Sequence, residues 1–538
     1  MLLLLVAAAN TAAVRPPLAP ANVNARLREQ LGMAEATSNA SAALAVGVRS
    51  LAETLRSDAL VGACMPTDRD VRKHAPGRSW RVPLPERTPF FLDEGPGLEM
   101  RAVHACLDEE LARAQERAPE PRYFDDILPP NKAAYLSDLL VLRALRAHPQ
   151  RVLDPTTAAL HFTGVTPHAS LVANFSCLAR TRTTHEQRMR LAAAALREKA
   201  ALAARMGSRT LYVIMHPSWN WRAIGTELRA LLREPEHRER FVVVTGDRTY
   251  AARISRAHAE AAVLVPYVAS ARLDQLARAE HFAIAPCARG GRASDGDAPP
   301  HGAIARLGAG GADGVDLAGG GGADIADAAC ARGSGDDAAW AKVRPISCYF
   351  VGNMHRQRGE GKVRFKAVEA LSTGAPRGRY VDRVFRQQNV HRLSYAEMAV
   401  ECAREMRGSR FCLAPAGDVP TSRRLPDALA AGCVPVHIGR FELMRSNLPF
   451  PHHVDWGAVA IFAGGVDCLQ RVNASATLGA LLEAIDPRLL RAASAHARAV
   501  YVRTLSFGRG GGAPSALLRE LYIAMGSRAF GSRWGPSQ

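Results

Sequence analysis

The sequence predicts an α/β fold of two Rossmann-like lobes that face a cleft, with a low-complexity insertion between them. Three observations predict it. Short apolar runs alternate with amphipathic helix patterns across residues 90–287, the signature of a parallel sheet with crossover helices. The alternation stops over 288–341, which is rich in Gly, Ala and Asp and includes GAGGADGVDLAGGGGAD. It then resumes across 342–500 with a second set of strand and helix patterns.

In chain order, residues 1–14 (MLLLLVAAANTAAV) read as a signal-like or weak anchor segment, although no basic residues precede the apolar run. Residues 15–89, punctuated by Pro16, Pro17 and Pro20, read as a variable stem. The first lobe, 90–287, opens its periodic part with a helix at 138–148 and continues with a strand at 159–165 and a long helix at 187–206. A strand at 210–215, a helix at 223–233 and strands at 241–246 and 261–268 complete it. The insertion has almost no large apolar side chain, so burial cannot offset its ordering entropy. The second lobe carries strands at 345–352, 410–417, 434–439 and 458–463, with helices at 394–408 and 424–432. Residues 501–538 read as a C-terminal tail.

Composition narrows the function. Of 538 residues, 48% are apolar and 22% charged, which is globular and long enough for two or three domains. The net charge of +18 invites a nucleic-acid reading, but only six of the 69 basic residues are lysines, the arginines are spread along the chain, and aromatics make up 6%. A nucleic-acid surface needs basic residues clustered on one face, so no nucleic-acid partner is expected. No apolar run reaches the roughly 18 residues that span a bilayer. Ten cysteines show no CxxC spacing, which argues against a zinc ribbon or a thioredoxin-type site. Disulfides in a secretory lumen fit them, as do the sequons at Asn39, Asn174 and Asn473.

The most informative stretch is 409–436, SRFCLAPAGDVPTSRRLPDALAAGCVPV. A strand ends at Pro415, a loop carries Gly417, Asp418, Pro420, Thr421 and Ser422, and a helix begins near Arg424. Such a loop offers an anion its amides, its hydroxyls and a helix N-terminus, and Arg424 adds a planar fork suited to a diphosphate. Asp427 is placed to accept from a ribose. Each residue also has a plainer reading: Ser422 as an N-cap, Asp427 as a first-turn charge, Arg424 as a solvated arginine.

This stretch resembles the exostosin-type glycosyltransferases, glycosyltransferase family forty-seven, in their plant and algal branch. The match runs through Phe411, Cys412, Leu413, Pro415 to Asp418, Pro420, Ser422, Arg424, Leu425, Asp427, Ala428 and Gly432 to Val436. Leu448, Pro449, Phe450, Asp455 and Trp456 follow in order. Weaker echoes lie at 154–165, 213–221, 263–268 and 350–364, while Thr421 and Pro426 depart from the pattern. The resemblance implies a GT-B fold, with the second lobe holding the donor. It also implies inverting transfer of a sugar from a UDP-sugar to a glycan or polysaccharide in the Golgi lumen; no metal cofactor is expected. Arg424 would then neutralise the diphosphate, Asp427 hold the ribose, and Gly417, Asp418 and Ser422 shape the loop beside the departing phosphate.

Arg356, Lys362 and Arg364 form a second cationic loop that either reaches that phosphate or is simply solvated. His216, at a strand end in the first lobe, is the first candidate for the base that inversion needs, or it merely bonds its own loop. Asp418 and Asp247 follow it. Asp295-Gly296-Asp297 is a DxD triplet without the rigid frame that chelation needs. The partners expected are a UDP-sugar donor, a glycan acceptor and, in a hetero- or homo-oligomer, related glycosyltransferases. The rival readings are a catalytically inactive exostosin-like partner subunit and a basic glycan-binding protein.

Overall fold

The computed structural model describes residues 51–66, 88–288, 340–352, 361–372, 378–382, 394–465, 468 and 474–526, apart from 54, 58, 119, 120, 177–180, 218, 219, 341 and 418. Segment 1–14 and the 289–339 part of the insertion, with its DxD triplet, lie outside these residues, as do Asn39 and Asn473. Among the described residues no helix is long and apolar enough to cross a membrane.

The first lobe is built on strands β1 (Phe90–Asp93), β2 (Arg151–Val152), β3 (Leu160–Thr163), β4 (Leu211–Met215), β5 (Phe241–Thr245) and β6 (Val263–Leu264). All pair in parallel, in the order β2-β1-β3-β4-β5-β6. Every residue of β3, β4 and β5 is buried, as expected where helices cover both faces of a parallel sheet. Its main helices are α1 (Arg101–Glu116), α2 (Ser137–Arg146), α3 (Pro167–Ser176), α4 (His185–Arg205) and α5 (Ala271–Ala288). The second lobe has β7 (Ile346–Gly352), β8 (Arg379–Asp382), β9 (Ser409–Leu413), β10 (Val434–His437) and β11 (Ile461–Phe462), again parallel, in the order β11-β10-β9-β7-β8. Around it lie α6 (Gly361–Ser372), α7 (Tyr395–Arg407), α8 (Arg424–Ala431), α9 (Ala474–Glu483), α10 (Pro487–Val500) and α11 (Ala513–Gly526). These are the two parallel α/β lobes that the alternation predicts.

Three strands escape the pattern. β1 is four residues long, β2 two, and β8 (RYVD) is a polar edge strand, so none presents the apolar run that marks a buried central strand. Two segments also pack beyond their expected roles. Leu51 and Leu55, in the stretch read as stem, are 0% and 1% exposed within the core of the second lobe, beside Phe350 and Phe411. A disulfide from Cys64 to Cys468 ties that stretch down. Helix α11, in the stretch read as a tail, returns to pack on α2 and β6 of the first lobe. Leu517, Leu518 and Leu521 are among its buried residues.

The lobes share one apolar core, in which Leu273 and Ala277 of α5 meet Leu425, Ala428 and Leu429 of α8. Around this seam Arg407 and Arg498 both pair with Glu280, Tyr501 donates to Asp274 at 2.7 Å, and the Arg248 amide donates to Asn447 Oδ1 at 2.8 Å.

Leu55→Ala should lower stability by about 2–5 kcal/mol, the usual cost of emptying a buried leucine site. The midpoint of urea unfolding measures it. An unchanged midpoint would mean that 51–65 is a solvated stem after all.

Candidate functional site

β7 stands between β8 and β9, and the chain leaves β7 toward one edge of the sheet and β9 toward the other. At such a switch point the loops diverge and leave a crevice at the carboxyl ends of the strands, where α/β sheets bind ligands. The two loops here are the ones singled out from the sequence: the basic loop leading into α6, and 414–423 leading into α8. Arg364, near the start of α6, reaches the second of them. A Cβ on residue 417 would overlap the Arg364 guanidinium, so the close approach needs glycine.

Local bonds hold the second loop in shape. Ala414 and Ala416 donate to Val436 O and Ile438 O at 2.9 and 3.0 Å, so pairing with β10 continues past the formal end of β9. Gly417 N then donates to Val419 O at 3.0 Å and turns the chain. Beneath the loop, a disulfide joins Cys412 in β9 to Cys433, just before β10. His437 Nδ1 donates to Ala414 O at 2.8 Å, and burial pulls the His437 pKa down to about 4. Gly432, with φ 63°, ends α8 in the left-handed conformation that glycine adopts most readily.

Arg424 and Asp427 are brought together. Arg424 Nε donates to Val351 O at 2.6 Å, at the carboxyl end of β7, and its Nη1 donates to Asp427 Oδ2 at 3.1 Å. Asp427 is 3% exposed, and its other oxygen accepts from the Ser270 amide of the first lobe at 2.7 Å. Arg423 pairs with Asp427 at 3.5 Å and with Asp125, in the Phe124–Ile127 turn of the first lobe, at 2.6 Å. The second oxygen of Asp125 accepts from Ala271 N at 2.8 Å, so two carboxylates, one from each lobe, cap the N-terminus of α5. Burial works against the Arg423 charge, but Asp125 and then Asp427 outweigh it and hold its pKa above the ordinary arginine value. A ribose reaching Asp427 would have to displace one of these contacts.

On the facing side, the strand ends of the first lobe deliver a second polar cluster. His216 directly follows β4 and is 1% exposed. Its Nδ1 is buried without a partner among the described residues. Burial, with His168 and Arg253 adding positive charge, pulls its pKa down to about 3. His168 Nε2 donates to Lys132 O at 3.0 Å, leaving Nδ1 buried and likewise without a partner among the described residues. Asp247, at the end of β5, is fully buried, which raises its pKa against the opposing bonds from Thr249 and Thr421. Thr421 Oγ1, from the α8 loop, reaches Asp247 Oδ2 at 3.2 Å and joins the two lobes. Next to it, Tyr250 and Tyr267 share a hydroxyl contact at 3.1 Å.

Ser422 is half-buried, and its carbonyl accepts from Leu425 N at 3.1 Å. Asp418 and Arg356 lie outside the described residues, and Lys362 is described as backbone only, in the first turn of α6. Trp456 packs in the core and donates through Nε1 to Pro449 O at 3.0 Å. Nearby Phe450 is held at φ 48° with no exposure, a conformation that a bulky residue keeps only when its surroundings fix it. Sequence reading passed over Arg423, Asp125 and His168. The Arg423–Arg424 doublet inside the motif was a usable signal for the first. Nothing in the sequence marks Asp125.

Gly417→Ala should expel Arg364 from the loop with little effect on the core. Anion affinity should fall about tenfold, in line with losing one charge-assisted hydrogen bond, while the melting temperature moves by only a few degrees. Titration with inorganic pyrophosphate and a thermal melt measure the two effects.

Stability should also fall as pH drops from about 6.5 toward 4. Burial lowers His104 and His216 to about 3 and His168, His258 and His437 to about 4. In this window the folded state therefore holds fewer protons than the unfolded one, and stability rises with pH, by at most about 1.4 kcal/mol per unit for each group. Asp138, which burial raises to about 7, acts in the opposite sense and offsets one histidine. A urea midpoint at pH 5 no lower than at pH 7 would contradict this balance.

A family model for the exostosin GT47 domain matches residues 330–478. The chain is also 30% identical over 125 residues to the "Probable arabinosyltransferase ARAD1" of Arabidopsis thaliana, an overlap that covers 23% of this chain and 24% of that protein. The chain thus aligns with about a quarter of the length of the curated relative it matches. The family match spans the whole second sheet and the switch point between β7 and β9. The likeness to the exostosin GT47 domain thus falls on the second lobe, residues 330–478.

Proposed function

We propose that this chain is an inverting glycosyltransferase that moves a sugar from a UDP-sugar to a glycan, with the donor seated in the crevice of the second lobe. The observation that carries the reading is that two arginines converge on the strand ends at the switch point: Arg364 from α6 lies on Gly417 after β9, and Arg424 from α8 is held on Val351 O at the end of β7. The leaving diphosphate needs its charge neutralised. Arg424 has Nη2 unengaged among the described residues, and Arg364, with Arg356 and Lys362 from the basic loop, adds further cations. Side chains rather than a divalent ion then carry this step. The acceptor hydroxyl oxygen attacks the anomeric carbon on the face opposite the phosphate. The bond from that carbon to the phosphate oxygen breaks and leaves its electron pair on UDP. The hydroxyl proton passes to a base: His216, kept neutral by burial, or Asp418.

The disulfides support a secretory setting. Cys64–Cys468 and Cys412–Cys433 are bonded, and Cys106 is in a disulfide as well. Such bonds persist in oxidising compartments such as the secretory lumen.

The test is UDP release from a panel of UDP-sugars, UDP-arabinose first, in the presence of a panel of glycan and polysaccharide acceptors. Turnover should survive EDTA. Arg424→Ala should weaken UDP binding by about tenfold to a hundredfold, the loss of a charge-assisted bond, and Arg424→Lys should restore it only in part. UDP binding without turnover would instead identify an inactive partner subunit. Absence of UDP binding would leave a glycan-binding protein, and loss of turnover in EDTA restored by manganese would overturn the metal-free mechanism.

A further inference from the structure

The two arginines at the start of α8 face different ways. Arg424 reaches the crevice, whereas Arg423 turns into the seam between the lobes and is 12% exposed there. We propose that Arg423 is a positioning residue of the donor site, through which Asp125 of the opposite lobe sets the place of Arg424. The proposal rests on the donor reading above.

The contacts form one chain from lobe to lobe. Asp125 holds Arg423 at 2.6 Å, Arg423 faces Asp427 at 3.5 Å, and Asp427 braces Arg424 at 3.1 Å, whose Nε is fixed on Val351 O at 2.6 Å. Asp125 and Asp427 balance the two arginines, and both carboxylates also take an amide from the start of α5. Without Asp125, Asp427 is the one carboxylate of this group left to Arg423 and to the positive end of α5. Both draw it away from Arg424, which then keeps its bond to Val351 but loses its brace. A fork that must be ordered when the diphosphate arrives binds more weakly than one already in place.

The experiment uses the full chain and UDP as the probe, with affinity measured by calorimetric titration well below the melting temperature. Asp125→Asn should weaken UDP binding about tenfold, the scale of a small displacement of a site residue, although Asp125 lies in the other lobe. In an Arg424→Ala background the same substitution should change affinity by less than about twofold, because contacts in one network do not add. A purely structural role would lower the melting temperature and leave the two effects additive. Should Asp125→Asn fail to fold, Arg423→Lys keeps the buried charge without the fork and should weaken UDP binding about threefold.

Parental UDP affinity in both variants overturns the proposal, as does additivity with Arg424→Ala. Parent protein that binds no UDP overturns the donor reading and this inference with it.

Discussion

Four paired charges, two of them buried carboxylates, and one helix end hold the candidate site together. Asp125, Arg423, Asp427 and Arg424 alternate in sign, and the amides of Ser270 and Ala271 at the start of α5 take the remaining carboxylate valences. Taking ions out of water is costly, and a buried cluster persists only where every member is paired and hydrogen-bonded. Here completeness requires both lobes, since Asp125, Ser270 and Ala271 belong to the first and the other three residues to the second. The crevice therefore has its present shape only while the lobes are docked.

The apolar seam supports that cluster. α5 lies across α8 with Leu273 and Ala277 against Leu425, Ala428 and Leu429, and the small alanines let the two helices approach closely. Glu280 with Arg407 and Arg498, and Asp274 with Tyr501, secure the rest of α5. The chain then crosses back through α11 to α2 and β6, so each lobe holds a piece of the other's sequence neighbourhood. Below the loop, the Cys412–Cys433 bond and the continued pairing of Ala414 and Ala416 fix the strand ends from which it springs. The site is thus rigid where it meets the sheet, and its cations are placed before a ligand arrives.

The facing cluster follows a different logic. His168 and His216 are neutral because burial penalises their charged forms, and each keeps a buried Nδ1 free among the described residues. Asp247 spends its oxygens on Thr249 and on Thr421 of the α8 loop. On the donor reading, this side receives a hydroxyl and the other an anion, a division that suits a reaction in which a proton leaves one partner while negative charge grows on the other.

The sequence by itself determined the two parallel lobes, because long apolar runs such as FVVVT (β5) and ISCYFVG (β7) can only be buried central strands once helix patterns separate them. It also determined the loop 414–423 and its arginine, since glycine, hydroxyl and cation fall there in one contiguous stretch. The short strands β1 and β2 and the polar edge strand β8 were not legible, because too few residues carry their pattern. Nor was the place of residues 51–65, whose two buried leucines find a partner only in the folded second lobe. Tertiary structure alone decided that Asp427 is braced inside the seam and that Arg423 points away from Arg424. It alone brought Asp125 to a residue 298 positions away. Local spacing sets which residues share a helix turn, but which side of that turn faces ligand and which faces protein depends on what the rest of the chain packs against it.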